Sequence, residues 1–334
     1  MALTKIKTGS VSDSITLTTP DINGGTIDAT VIGGTTPAVA TFTTASDASG
    51  NVRSGRKNLI INGGMQVSQR GNYTSATAAS HNNYYLDRWL FESGLSQTVQ
   101  DTGFKQKVVV TAGGTSIVGI RQKIEDKTYN RLLGKTVTLS AKVTSNSSDA
   151  RICSYADGWR VGTAHTGGGA EETLTLTYTV PSSLSVAALM LEVAITGSSY
   201  LNVAIAVGDY IEITDVQLEL GSVATEFEHR SYGEELALCQ RYYERSNTSG
   251  TSGTHRIAIN KGSTSSSYYF AIPYKVTKRT MPTIAIDQIY DSELTISSHA
   301  SASTDSHLGL KNATGGNTSV RALAEFHWTA DAEL

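Results

Sequence analysis

Residues 173–180 read Thr173-Leu174-Thr175-Leu176-Thr177-Tyr178-Thr179-Val180, a strict alternation of threonine with apolar side chains. A period of two puts every apolar residue on one face of an extended strand and every threonine on the other. The stretch predicts a strand with one buried and one wet face, the mark of an antiparallel sheet. Val137, Leu139, Ala141 and Val143 alternate in the same way with Thr136, Thr138, Ser140 and Lys142, and Leu189, Leu191, Val193 and Ile195 form a third run. Further strands are predicted at 107–111, 116–124, 201–207 and 210–220. In the last, the apolar phase slips from Ile211 and Ile213 to Val216, Leu218 and Leu220, which predicts a bulge near Asp215. Turn clusters such as Ala112-Gly113-Gly114 and Thr166-Gly167-Gly168-Gly169 separate the runs. About eight such strands over residues 58–230 imply a jelly-roll β-sandwich.

On the C-terminal side, Ser231 and Glu234 stand at the S-x-x-E spacing of a capping box. Leu236, Cys239 and Tyr243 then fall at i, i+3 and i+7, predicting a helix over 231–245 with one apolar stripe. That stripe needs a partner, either the flanking sandwich or two symmetry copies. Residues 247–334 return to β character, with strands predicted at 256–261, 267–272, 283–290, 293–297 and 320–329. A β-sandwich of about 90 residues is marginal alone and better supported in an oligomer. On the N-terminal side, residues 21–44 read DINGGTIDATVIGGTTPAVATFTT, with Gly24-Gly25-Thr26 and Gly33-Gly34-Thr35 nine positions apart. This segment has β propensity but too little apolar surface to offset its backbone entropy. It is either disordered or ordered by copies of itself, and the second reading makes the protein an oligomeric fibre. Residues 45–57 read as a linker.

Composition agrees with an extended, mainly β protein. Charged residues make up 17% of the 334, below the roughly 25% of an average globular chain, and Ser, Thr, Gly and Asn take their place. The net charge of −3, with no basic stripe, argues against nucleic acid. Cys153 and Cys239 form no CxxC pair, which disfavours structural zinc and a disulfide framework and favours reduced thiols. The first ten residues lack the apolar core of a signal peptide, and no run approaches the ~20 apolar residues of a membrane span.

Several longer stretches resemble a known family. Residues 23–44 look like the shaft-entry segment of tailed-phage tail fibres. Asn58-Leu59-Ile60-Ile61-Asn62-Gly63-Gly64-Met65-Gln66-Val67, with Gln69-Arg70-Gly71 and Asp87-Arg88-Trp89, resembles the start of a carbohydrate-binding-module-like jelly roll in such fibres. Residues 216–228, VQLELGSVATEFE, resemble its last strand and exit. Arg230-Ser231-Tyr232-Gly233-Glu234-Glu235-Leu236 and Cys239-Gln240-Arg241-Tyr242-Tyr243 are similar to the helical neck that follows. Pro273-Tyr274-Lys275-Val276, Arg279-Thr280-Met281-Pro282-Thr283 and the last five residues look like a small β tip domain. The resemblance implies a homotrimer made in the host cytoplasm and carried on the virion. Its layout would be an N-terminal tail-attachment segment (1–57), an intertwined shaft that docks to a phage tail protein, then a jelly roll (58–230), a helical neck (231–246) and a C-terminal β tip (247–334). It implies host-surface recognition of a glycan, without insertion into a membrane. A structural calcium ion is also implied, since such folds often carry one.

Sugar binding needs aromatic platforms beside short polar side chains. Tyr155, Asp157, Trp159 and Arg160 form a loop-like group between strands, and Trp159 beside Asp157 and Arg160 is the favoured candidate. Tyr268 and Tyr269 put one ring on each face of a strand, so one of them is expected to face solvent. Trp89 reads as core, Trp328 as core or inter-subunit, and Tyr84 and Tyr85 as either exposed or core. The loops 247–254 and 262–267 have the small, polar composition of variable binding loops and equally of inert ones. Glu125, Asp126, Asp157, Glu171 and Glu172 are carboxylates a glycosidase would need in pairs, but they read as solvated. Asp305-Ser306-His307 contains triad residue types as neighbours, which cannot form the relay geometry. His299, His307 and His327 lack metal-ligand spacing. The expectation is a non-catalytic glycan-binding fibre. The alternatives are a purely structural virion protein, such as a head fibre, decoration or adaptor protein, and a polysaccharide depolymerase.

Overall fold

The threonine-rich strand lies where its alternation puts it. In a computed structural model of the chain, β11 (Glu171–Thr179) pairs antiparallel with β8 (Thr136–Ser145), Leu174 opposite Ala141, Leu176 opposite Leu139 and Tyr178 opposite Val137. Leu174, Leu139, Ala141 and Val137 are fully buried, and burying one such side chain stabilises by about 1.5–3 kcal/mol. On the opposite face, Thr138 and Thr177 hydroxyls meet at 3.0 Å and Thr136 and Thr179 at 3.2 Å, although Thr138 is itself buried where it also donates to the Gly221 carbonyl. The structure describes residues 56–71, 73–185, 189–246, 255–260, 269–292, 296–298, 303–312 and 321–334. The repeats at 24–35, the segment 1–55, the loops 247–254 and 262–267, Tyr268 and His299 lie outside the described residues.

Two six-stranded antiparallel sheets enclose one apolar core. The first runs β1 (Thr77–Ala79), β4 (Ser96–Asp101), β5 (Gln106–Ala112), β14 (Tyr210–Leu220), β8, β11. The second runs β10 (Trp159–Ala164), β9 (Ala150–Tyr155), β12 (Leu189–Ile195), β7 (Val118–Ile124), β3 (Trp89–Ser93), β2 (Tyr84–Leu86). β6 (Gly114–Ser116) and β13 (Val203–Ile205) form a small ribbon beside them. The predicted bulge is present: β14 slips register against β8 between Thr214 and Gln217, with Asp215 at φ 50°. β1, β2, β3, β4, β9 and β10 add to the strands predicted from the alternation. Cys153 and Cys239 are free and buried.

The segment 58–67 plugs one end of the sandwich through Asn62, which is fully buried at φ 57°. Its side-chain oxygen accepts from the backbone N–H of Gln66 and Val67, and its amide donates to the carbonyls of Val67 and Asp87. Its own carbonyl accepts from the Trp89 indole at 2.9 Å. Trp89 is core, as the sequence suggested. The neighbouring Gly63 is required by close approach, since a Cβ there would lie 2.1 Å from the Val216 carbonyl oxygen.

The capping box on Ser231 and Glu234 forms, and α2 (Tyr232–Gln240) follows; the short α1 (Asp126–Tyr129) lies earlier in the chain. The helix is shorter than the predicted 231–245, and Tyr243 does not extend its stripe. Tyr243 lies in β15 (Tyr243–Arg245), where pairing with β21 (Arg321–Asp331) captures the chain and outcompetes another helical turn. The buried helical residues are Glu235, Cys239 and Gln240. Glu235 accepts from the Asn62 N–H and pairs with Arg230 at 3.3 Å, so the helix leans on the sandwich of its own chain.

In the C-terminal part, β15 and β16 (His255–Asn260) share one edge of β21, and β18 (Thr283–Ser292) covers the other. A second sheet orders β17 (Tyr269–Pro273), β20 (His307–Asn312) and β19 (Ile296–Ser298). Asp305 and Ser306 lie in a bend, and His307 opens β20, a strand absent from the sequence expectation, whose Leu308 and Leu310 are fully buried with Phe326 and Trp328. All described residues belong to one compact unit. The chain end returns to the first sandwich, where Glu333 pairs with Arg70 and with the buried Arg88, whose guanidinium lies 3.6 Å from the centre of the Tyr242 ring. Lys278, buried, donates to the Gln240 carbonyl at 2.7 Å and to Glu244 at 2.6 Å.

Replacing Asn62 by Ala removes four buried hydrogen bonds and places a Cβ residue without a polar side chain at positive φ. Each buried group left unpaired costs about 1–3 kcal/mol, so N62A is expected to lose about 3 kcal/mol or more in urea denaturation. A loss below about 1 kcal/mol contradicts the plug's role.

Candidate functional site

The sequence candidates Tyr155 and Trp159 close the β9–β10 hairpin and face each other across it. Three residues connect them, with Asp157 at φ 55° and Gly158 at φ 148°. What read as a loop is therefore two strand ends and a tight turn. The Tyr155 and Trp159 rings meet edge to face at 5.2 Å, and Tyr200 stacks on Trp159 at 3.4 Å and 11°.

Arg160 holds the turn itself, and Asp157 ties the turn to Ser185 in the segment before β12. The Asp157 carboxylate accepts from the backbone N–H and hydroxyl of Ser185 at 2.8 and 2.7 Å. Arg160 donates to the carbonyls of Ala156 and Gly158 at 2.9 and 3.0 Å and lies 5.1 Å from the Tyr178 ring. Tyr269 is exposed on β17, opposite Lys311, and stands apart from this hairpin in the C-terminal sandwich.

The hairpin aromatics instead join residues the alternation did not single out. Arg121 on β7 pairs with Glu192 on β12 at 2.8 Å and with Glu92 on β3 at 3.1 Å, and its guanidinium lies 5.4 Å from the centre of the Trp159 ring. The Tyr200 hydroxyl accepts from Arg121 at 2.8 Å and donates to Glu192 at 2.9 Å. Tyr200 itself sits at φ 56° in the turn after β12. The alternation of Leu189, Leu191 and Val193 puts Glu192 on the outer, wet face. It is on that face, but Tyr200 and Trp159 roof it over and leave it 1% exposed. Among the described residues its Oε1 has no hydrogen-bond partner. Burial pushes the Glu192 carboxyl up to about 7, against the lowering pull of Arg121. For Arg121, burial acts downward, but Glu192, Tyr200 and Glu92 outweigh it and hold the guanidinium above its usual range. The carboxyl group thus bears the cost of sharing this site.

The carboxylates considered for glycosidase chemistry have separate partners. Glu125 pairs with Arg241, Glu171 with Lys105, Glu172 accepts from Thr166, and Asp126 bonds the Lys127 N–H within the first turn of α1. Among the described residues no three His, Cys, Asp or Glu side chains converge as a metal site.

No protein-family model matches the sequence, and the comparison with curated proteins found no match. Several solved structures resemble it weakly. A Stig cyclase, Fisc, from Fischerella sp. TAU has 13% identity and a TM-score of 0.34, covering 51% of this chain and 99% of its own. The CBM22-1 xylan-binding domain of Paenibacillus barcinonensis Xyn10C has 13% identity and a TM-score of 0.27, covering 46% and 99%. The enzymatically active domain of tailspike protein 4 of bacteriophage CBA120 has 16% identity and a TM-score of 0.29, covering 49% of this chain and 21% of that one. Likenesses this distant assign neither ligand nor reaction.

A carboxyl raised in the folded state stabilises fully below its unfolded pKa, and the contribution is lost as pH rises through the folded value. For Glu192 that window runs from the ordinary 4.5 to about 7, a change of about 3 kcal/mol at 1.36 kcal/mol per pKa unit. Urea denaturation between pH 4.5 and 7.5 should show wild type losing that much more stability than Glu192→Gln. Parallel pH profiles would contradict the assignment.

Proposed function

We propose that this chain is a tail-fibre protein of a tailed bacteriophage, a homotrimer on the virion that attaches to a host surface glycan without cleaving it. The observation that carries the reading is the placement of the fibre-like motifs. Asn58–Val67 motif residues, Asp87-Arg88-Trp89 and Val216–Leu220 motif residues meet around Asn62 and Gly63 and hold one end of the sandwich. Stretches far apart in the sequence that resemble one family thus serve one structural purpose. In this reading the N-terminal segment docks to a phage tail protein and the sandwich carries the binding surface.

The Tyr155–Trp159–Tyr200 cluster is the glycan surface in this proposal. A ring face of this cluster left uncovered by its neighbours would take the apolar face of a pyranose, with Arg121 and Glu92 beside it as polar partners. Tyr269 is a second exposed ring, 57% accessible, in the C-terminal sandwich. Binding at one such site is weak, and three copies per fibre raise it through effective concentration. The structural reading, a head fibre, decoration or adaptor protein, is favoured by two observations: Asp157 and Arg160 are engaged by Ser185 and by the turn carbonyls, and Tyr200 covers one face of Trp159.

Two measurements test the proposal together. Light scattering should give three times the 35.4 kDa of one chain. Surface polysaccharides purified from a panel of bacteria should include at least one that retains the protein. Trp159→Ala should weaken retention about tenfold, as loss of about 1.4 kcal/mol of stacking and its neighbours implies, while Trp159→Phe keeps most of it. A trimer that no polysaccharide retains supports the structural reading, and release of reducing sugar supports a depolymerase.

A further inference from the structure

The hairpin between β4 and β5 carries an unusual residue at its tip. The turn is Thr102-Gly103-Phe104-Lys105, closed by the Thr102 N–H donating to the Lys105 carbonyl at 3.0 Å. Gly103 sits at φ 80° and Phe104 at φ 59°. Positive φ at both central residues is the habit of a type I′ turn, where Asn-Gly and similar pairs are favoured. A phenylalanine there is strained, because its Cβ crowds the backbone. Nothing in the fold offsets that strain by burial, since Phe104 is 66% exposed. Strain without a folding return points to a ligand.

Phe104 also stands over a cleft. Its carbonyl accepts from the Thr214 hydroxyl at 2.7 Å, which ties the turn to the β14 bulge. The cleft, about 310 Å³, is lined by Gly64, Gln66, Phe104, Thr214, Asp215 and His229. That volume lies at the small end of ligand sites, which span roughly 300–1,000 Å³. Asp215 is the bulge residue itself, at φ 50°, and bulges re-aim side chains in this way. Lys142 pairs with Asp215 Oδ2 at 2.8 Å. A Cβ on Gly64 would come within 3.1 Å of the Gln66 amide nitrogen and 3.5 Å of the Phe227 ring, so the missing side chain keeps the floor open.

We infer that this cleft is a second saccharide site, for an uncharged pyranose, on the first sheet and separate from the Trp159 hairpin on the second. The apolar face of the sugar lies on the Phe104 ring. The Asp215 carboxylate, Gln66 amide and Thr214 hydroxyl supply hydrogen-bonding groups of the kind that read sugar hydroxyls. An aromatic ring with short polar groups on one side suits a sugar, whose ring has a C–H face and a hydroxyl rim.

Saturation-transfer NMR with the methyl glycosides of glucose, galactose, N-acetylglucosamine and rhamnose tests the inference on the whole protein. At least one sugar should receive saturation. Phe104→Asn, which suits positive φ, should cut that transfer about fivefold, the scale of one lost ring contact, while Phe104→Tyr retains it. The melting temperature of F104N should match or exceed that of the parent, which shows that the loss is not unfolding. Transfer that is absent for all four sugars, or unchanged in F104N, overturns the site. Transfer that depends on Trp159 and not on Phe104 supports the hairpin alone and overturns this cleft. A melting temperature lowered by F104N overturns the strain argument.

Discussion

Asn62 is the constraint on which the rest of the structure depends. A chain entering the end of a sandwich brings backbone donors and acceptors into a dry core, and each must be paired. One buried amide side chain at φ 57° satisfies four of them within its own turn and the next segment. Its backbone carbonyl then fixes the Trp89 indole, and its N–H fixes Glu235 of the helix. Asparagine suits the position because it tolerates the left-handed region and has both a donor and an acceptor at short reach. Core, β3 and helix thus share one residue, and Gly63 beside it admits no side chain.

The same economy of buried polar groups joins the two sandwiches. Glu333 meets Arg88 and Arg70, and Lys278 meets Glu244 and the Gln240 carbonyl at the end of α2. Buried pairs of this kind add little net stability against an apolar alternative, but leaving one partner alone is costly. They therefore select one docking geometry. Because β15 and β21 are strands of one sheet, the chain that leaves the helix and the chain end are held together.

Much of this was legible in the sequence, for local reasons. The alternation at 173–180 and 136–143 tells which side chains enter the apolar core, although Thr138 and Ser140 on the other face are buried too, and the phase slip near Asp215 marks the bulge, because a period of two leaves no other explanation for the change of face. Ser231 and Glu234 announce the helix start through a pairing between neighbours. The helix end was not legible, since β21, some eighty residues on, decides it. Strands β9 and β10 were hidden because Asp157, Gly158 and Arg160 look like loop chemistry, and they do serve a turn, only a tight one. Trp159 and Tyr155 were found by residue type. Their partners Arg121, Glu192 and Tyr200 come together from three separate places in the chain, and the alternation assigned Glu192 to a solvated face that Tyr200 covers.

A sandwich held at one end by a polar plug carries two surfaces where aromatic rings stand beside hydrogen-bonding groups. Hydrogen–deuterium exchange of the whole protein, alone and with a bacterial surface polysaccharide that it retains, tests that most directly. The account predicts slowed exchange at residues 155–160 or 102–105, with the Asn62 plug unchanged. Protection confined to other surfaces, or none on either turn while the polysaccharide is bound, would contradict it.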